Sequence, residues 1–496
     1  MTQYLLAIDQ GTTSTRAMIV NDQGQVIDSA QKEFPQYFPR SGWVEHDGME
    51  IIRSVMDVVG QVLQRLPVGA WPMAMGITNQ RETTLIWDRK TGEPIYPAIV
   101  WQDRRTADYC RQLKQEGHED LVREKTGLLL DPYFSATKIK WILDNVAGSR
   151  TRAAKGELAF GTVDSFILWH LTGGRVHGTD VTNASRTLLF NIRDMAWDRD
   201  LLQLFEVPPE LLPDVHACDH HFGDMERRLF GQAIPITAIA GDQQASMIGQ
   251  DCVHAGQIKC TYGTGGFIMM NTGDTLIQSK NRLLTTVAYE IQGKVTYALE
   301  GSFFSAGSAV SWLRDGLKII KNVKETDAIA RSIDSSNGVY MVPAFTGLGA
   351  PHWDPDAKGS LFGLSRGTGV AEIVRATLES VGFQTADLID AMKQDANISF
   401  DVLKVDGGMA QNEWLLQFLT DIMQIDIIRS RISETTAYGV ALLAGLGSGL
   451  FNRVNNLSIF YQYVDVKQSV ISIKEMTRQR GNWKRAVEST SYYARK

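Results

Sequence analysis

The sequence predicts an α/β protein built from two large domains, and three observations carry that prediction. The chain has 496 residues, too many for a single hydrophobic core. Apolar strand-like runs alternate with helical spacing along its length, the pattern of α/β architecture. One strand–turn–strand pattern also occurs twice, as "LLAIDQGTTSTRAMIV" at residues 5–20 and "IKCTYGTGGFIMMNTG" at 258–273. The second copy places a domain start near residue 251, dividing the chain into 1–250 and 251–496. A ligand is expected between the two halves.

The first apolar run ends at Asp9, and Gly11 is followed by Thr12, Thr13, Ser14, Thr15 and Arg16 before the chain turns apolar again. Residues 48–66 then carry Ile52, Val55, Val59, Val62 and Leu66 at helical spacing, with Asp47 placed to cap the start. "MAMGITNQRETTLIWD" (73–88) reads as strand, polar turn, strand. "AIAGDQQA" (238–245) is an apolar strand running into Gly241 and Asp242. Near the end, "DVLKVDGGMAQNEWLLQFL" (401–419) is a buried strand, a double glycine and a helix beginning around Asn412. "VALLAGLGSGLF" (440–451) is too short and too rich in glycine to span a membrane, and reads as a buried helix with its end.

Composition excludes several classes. With 50 basic and 56 acidic residues the formal net charge is -6, against nucleic-acid binding through a basic surface. The opening "MTQYLLAIDQ" lacks the positive region of a signal peptide. Cys110, Cys218, Cys252 and Cys260 show no metal-ligand spacing and read as reduced thiols of a cytoplasmic protein.

The two turns suit anions. Glycines let backbone N–H groups close around a phosphate. Thr12, Thr13 and Ser14 add hydroxyl donors, Arg16 adds a fixed charge, and Asp9 stands where a hydrated Mg²⁺ would sit. The same stretch also reads as a tight hairpin that satisfies only its own backbone. The second turn, with Thr261, Thr264 and three glycines, favours a polyphosphate held across a cleft. Neither turn is a Walker loop, and no GxGxxG dinucleotide motif is present. Gly407-Gly408 before a helix permits close approach of an anionic or flat ligand. A Gly/Ser-rich turn is expected at Gly307.

Several residues fit a small polyol. Arg81 beside Glu82 offers donors and acceptors to neighbouring hydroxyls, or is an ordinary exposed ion pair. Trp101 and Phe267 would face a substrate's carbon edge, or belong to the core; Tyr133 would offer a hydroxyl at the same wall, or is a core Tyr with a satisfied OH. Asp242 would accept the proton of an attacking hydroxyl while Gln243 holds a second one. Its plainer reading is a helix N-cap.

Asp-x-Gly-Thr-Thr early, Gly-Thr-Gly midway and Asp-Gly-Gly late resemble the actin-like, ribonuclease-H-like ATPase superfamily. Within it the chain resembles the carbohydrate kinases, through "YFSATKIKW" (133–141) and the segment from "GSLFGL" to "IVRATLE" (359–379). "GITNQRET", "AIVWQDRRT", "VTNASRT", "AGDQQA" and "VDGGMAQN" are similar to the glycerol-phosphorylating branch.

The resemblance implies two ribonuclease-H-like domains flanking an interdomain catalytic cleft. It implies transfer of the γ-phosphoryl of ATP to glycerol, giving sn-glycerol 3-phosphate and ADP in glycerol catabolism. Asp242 is then the base. Arg81, Glu82, Trp101, Tyr133, Asp242, Gln243 and Phe267 hold glycerol. Thr12, Thr13, Ser14, Arg16, Thr264, Gly307, Ser311, Gly408 and Asn412 hold the nucleotide, with Mg²⁺ near Asp9 and Asp242. A homodimer or homotetramer is implied as well.

Ser311 departs from the Gln found in many members of that branch. "MERRLFGQAIP" (225–235) lacks the Gly/Lys/Arg-rich loop that binds fructose 1,6-bisphosphate in some relatives. Arg228 stands where others carry a phosphorylated His, and His220 and His221 read as surface residues. Two rivals remain: a kinase of another polyol or a pentulose, and an ATP-driven assembly module.

Overall fold

The computed structural model describes residues 2–494 apart from 355, 399 and 462. Two large sheets form its frame. The first contains β1 (Tyr4–Gln10), β2 (Ser14–Asn21), β3 (Val26–Glu33), β4 (Pro72–Asn79), β5 (Gly223–Asp224) and β6 (Pro235–Gly241), ordered β5-β6-β4-β1-β2-β3. The second contains β7 (Ile258–Tyr262), β8 (Gly266–Gly273), β9 (Leu284–Ile291), β10 (Lys294–Phe303), β11 (Val402–Asp406), β12 (Asp426–Ser430) and β13 (Tyr463–Lys467), ordered β9-β10-β8-β7-β11-β12-β13.

The repeat expected from sequence extends well beyond the hairpins. β1 pairs antiparallel with β2 and parallel with β4, and β4 pairs parallel with β6. In the second sheet β7 pairs antiparallel with β8 and parallel with β11, and β11 pairs parallel with β12. The strand ends carrying Asp9 and Thr261 are thus equivalent, and so are those preceding Arg81 and Gly407.

Alternation along β1 sends its residues to two different cores. Leu6 and Ile8 pack on Ile51, Val55, Val59 and Val62 of α1 (Gly48–Arg65). Asp47 caps that helix as expected, accepting from the N–H groups of Met49 and Glu50. Leu5 and Ala7 face the other way, with Ala74, Ala238 and two further helices, α2 (Asp242–Gly249) and α6 (Thr435–Gly447). Between them in the second half lie, among others, the helices α3 (Gly307–Asp315), α4 (Val370–Ala396) and α5 (Glu413–Met423).

α6 lies late in the chain yet packs against β1, β4 and β6 of the first sheet. It approaches α2 so closely that a Cβ on Gly439 would lie 1.9 Å from the Ala245 carbonyl oxygen, and one on Gly249 1.9 Å from that of Thr435. The apolar stretch at 440–451 is therefore the buried helix expected, together with its end. Among the described residues no helix is long and apolar enough to cross a membrane. All four cysteines are free and buried.

Candidate active site

The first turn is tight because the Gly11 N–H donates to the Ser14 carbonyl at 2.9 Å. Its hydroxyls divide by direction. Thr12 Oγ1 accepts from Trp101 Nε1 at 2.9 Å, and Ser14 Oγ accepts from Gln31 Nε2 at 2.8 Å. Thr15, the fourth hydroxyl of the run, is buried against Ser54. Arg16 is already engaged, by Gln31 at 2.8 Å and by Glu434 of the second half at 3.0 Å. A phosphate would compete with Glu434 for it.

In the second turn, Gly263 and Thr264 are exposed while Gly265 and Gly266 are buried. A Cβ on Gly265 would lie 2.5 Å from the Phe303 carbonyl, and one on Gly266 2.1 Å from the Phe303 ring, so both must be glycine for β8 to lie against β10. The turn's carbonyls cap α3. Thr264 O accepts from the N–H groups of Ala306 and Ser308, and Gly263 O accepts from Gly307. Gly307 is thus the first residue of a helix, where the sequence suggested a turn. Ser311 lies one helical turn on, half-buried.

The third element matches expectation. β11 ends at Asp406, Gly407 has φ of 90°, and Asn412 caps α5 by accepting from the Leu415 N–H at 2.9 Å. The Asn412 amide also donates to Thr326 at 3.2 Å. Around Gly408 there is open space.

The polar pocket departs from the exposed ion pair that Arg81-Glu82 would ordinarily make. Both side chains are buried, and the direct contact between them is long, 3.9 Å. Arg81 instead grips Glu300 with both terminal nitrogens, at 2.7 and 2.9 Å, and turns Nε toward Asp242 Oδ1 at 3.2 Å. Glu82 accepts from Arg186 Nε at 2.6 Å. Its backbone is left-handed, φ 61°, and three donors secure its carbonyl: Ser135 Oγ, Lys138 Nζ and Thr84 Oγ1. A non-glycine residue held there stores strain of order 1–3 kcal/mol.

Trp101, Tyr133 and Phe267 form one aromatic wall. The Trp101 ring lies 5.5 Å from Tyr133 and 6.1 Å from Phe267, edge-on to both. Phe267 comes from β8 and the other two from the first half, so the wall joins the halves.

Asp242 opens α2, but Gly241 is the N-cap, which removes the plain capping reading. The Gly241 N–H donates to Thr182 Oγ1, fixing the strand-to-helix turn. The Asp242 side chain is 29% exposed. Burial raises its carboxyl above the usual range against the pull of Arg81 and Lys259. Asp9 is pushed up to about 7 by burial and by the neighbouring carboxylates Asp242 and Glu434, with Arg16 opposing. Two carboxylates that repel each other are a donor set suited to a divalent cation. Gln243 is oriented by Lys259, whose Nζ donates to Oε1 at 2.6 Å. The Gln243 amide NH₂ is thereby left as a donor.

Sequence reading missed Glu300, Arg186, Lys259 and Lys138. Each is an ionic side chain with no exposed surface, and for Glu300 the charge set in the largely apolar run "VTYALEGSFF" was the available signal. Away from the site, Arg228 is exposed and paired with Glu226, and His220 and His221 are exposed.

A family model described as the FGGY family of carbohydrate kinases matches this chain twice, its N-terminal domain at residues 4–249 and its C-terminal domain at 258–448. A glycerol kinase of Ectopseudomonas mendocina is 58% identical over 452 residues, covering 91% of each chain. One of Alteromonas mediterranea is 52% identical over 489 residues, covering 98% of this chain and 99% of the other. Among solved structures, Plasmodium falciparum glycerol kinase with ADP superposes with a TM-score of 0.92 at 36% identity, covering 99% of this chain and 98% of that one. A xylulose kinase from Rhodospirillum rubrum, 20% identical with a TM-score of 0.87 and full coverage of both chains, shares the fold.

Proposed function

Because this chain belongs to the FGGY family of carbohydrate kinases, we propose that it transfers the γ-phosphoryl group of ATP to a terminal hydroxyl of glycerol, giving sn-glycerol 3-phosphate and ADP. The observation that carries the reading is the meeting, in one place, of Asp242, the Arg81-Glu82 pair and the aromatic wall. Identity of 52–58% to curated glycerol kinases selects the acceptor.

Glycerol lies with its carbon edge on Trp101, Tyr133 and Phe267. Its hydroxyls bond to Arg81, Glu82 and Gln243, and the attacking one lies at Asp242. Phosphoryl transfer of this kind has a loose transition state, so alignment and charge stabilisation matter more than early deprotonation. Asp242 orients the hydroxyl and takes its proton late. The raised carboxyl is suited to both tasks. Thr12, Thr13, Ser14, Arg16 and Thr264 hold the phosphates, and Gly307, Ser311, Gly408 and Asn412 line the remainder of the nucleotide site. Asp9 and Asp242 would hold Mg²⁺ through water, and the ion would supply positive charge to the phosphate oxygens. Four buried free thiols suit a cytoplasmic setting.

A coupled assay of ADP release from Mg-ATP tests the reading, with glycerol, erythritol, xylulose, ribulose or no acceptor. Turnover with glycerol well above the others is expected. Faster turnover with a pentulose would move the substrate, and acceptor-independent ADP release would favour an ATP-driven module.

A further inference from the structure

Behind Arg81 and Glu82 stands a second, fully buried pair that no substrate can reach. The Glu300 carboxylate takes both terminal nitrogens of Arg81 and also accepts from Arg186 Nη2 at 3.1 Å. Arg186 in turn holds Glu82 through Nε. The result is a chain of alternating charges, Asp242–Arg81–Glu300–Arg186–Glu82, whose last four side chains are at most 2% exposed.

We propose that Arg186 and Glu300 are positioning residues for polyol recognition, acting through Arg81 and Glu82. Three observations lead there. Bidentate capture by Glu300 fixes the Arg81 fork and leaves Nε as the edge facing Asp242. Arg186 occupies Oε1 of Glu82, leaving Oε2 as the acceptor for a hydroxyl. Glu300 also pairs across the sheet with Met269, on the same face of β8 as Phe267. One strand pair therefore sets the carboxylate and the aromatic wall together.

Stability does not explain the arrangement, since a buried ionic cluster is commonly no better than well-packed apolar residues of the same volume. Placement does. A donor–acceptor pair fixed before the substrate arrives spares the rotamer entropy that a free Arg would lose on binding. The charge state of the cluster agrees: burial alone would raise Glu300, but Arg186 and Arg81 hold it down at about 2.

This inference rests on the glycerol reading above, and one experiment separates the two. Glu300→Gln and Arg186→Lys are assayed beside the unmodified chain for the KM of glycerol, the KM of ATP and kcat, with melting temperatures recorded. The expected result is a glycerol KM raised at least ten-fold in each variant, with the ATP KM within two-fold of its starting value. An unchanged glycerol KM, or equal rises for both substrates, overturns the proposal. If Glu300→Gln does not fold, Arg186→Lys, which keeps the charge but loses the fork, decides by the same criteria. Absence of glycerol-dependent turnover in the unmodified chain overturns the substrate reading instead.

Discussion

Arg81 Nε lies 3.2 Å from Asp242 Oδ1, so the residue expected to recognise a hydroxyl also touches the residue expected to take its proton. On the proposed reading, recognition and chemistry would share one ion-paired edge, and a substrate oxygen bound there would lie beside its base.

Replacing Asp242 with Asn keeps the shape and an acceptor oxygen for Arg81 but removes the proton acceptor. Glycerol binding by calorimetry should change little, while kcat should fall by roughly two or more orders of magnitude. Near-normal turnover would remove Asp242 from its catalytic role.

Trp101→Phe tests the link between the acceptor wall and the first turn. An aromatic ring is kept, though smaller than the indole, and the 2.9 Å bond from the indole N–H to Thr12 is lost. One hydrogen bond has a net worth of about 0.5–1.5 kcal/mol, so kcat/KM should drop about two- to twelve-fold. A loss of several hundred-fold would show that the ring itself had moved.

Asp9 should carry a stability cost that depends on pH. Its carboxyl titrates near 7 in the folded chain against about 4 when unfolded. Between those values the folded state keeps a proton that the unfolded state has lost, so stability falls as pH rises through this window. Asp9→Asn removes the penalty. Without nucleotide or Mg²⁺, it should raise the melting temperature more at pH 8 than at pH 5, while lowering ADP release. Equal gains at both pH values would count against the shared carboxylate pocket.

Much of the candidate site could be read from sequence because its glycines and hydroxyls cluster at strand ends. Asp9 to Arg16, Gly263 to Gly266 and Asp406 to Asn412 each announce a turn where backbone must come close to something. Glu300 and Arg186 were hidden for the opposite reason. Their partners lie more than a hundred residues away in sequence, and locally each resembles an isolated charge. Only the register of β10 against β8, which no local pattern fixes, brings Glu300 beneath Arg81. The same limit applied at Gly307. Its helix is capped by carbonyls of residues 263 and 264, so the start of α3 depends on a turn some forty residues earlier.

The close seating of α6 on the first sheet has a bearing on biosynthesis. Leu5, Ala7, Ala74 and Ala238 are covered on one side by a helix whose residues are translated roughly two hundred positions after β6. At about 5–20 residues per second, the ribosome needs on the order of ten to forty seconds to supply it. During that interval the nascent first half presents an uncovered apolar face. Chains halted near residue 250 should therefore occupy holdase chaperones and aggregate on release, and co-expressing the missing half in trans should rescue them.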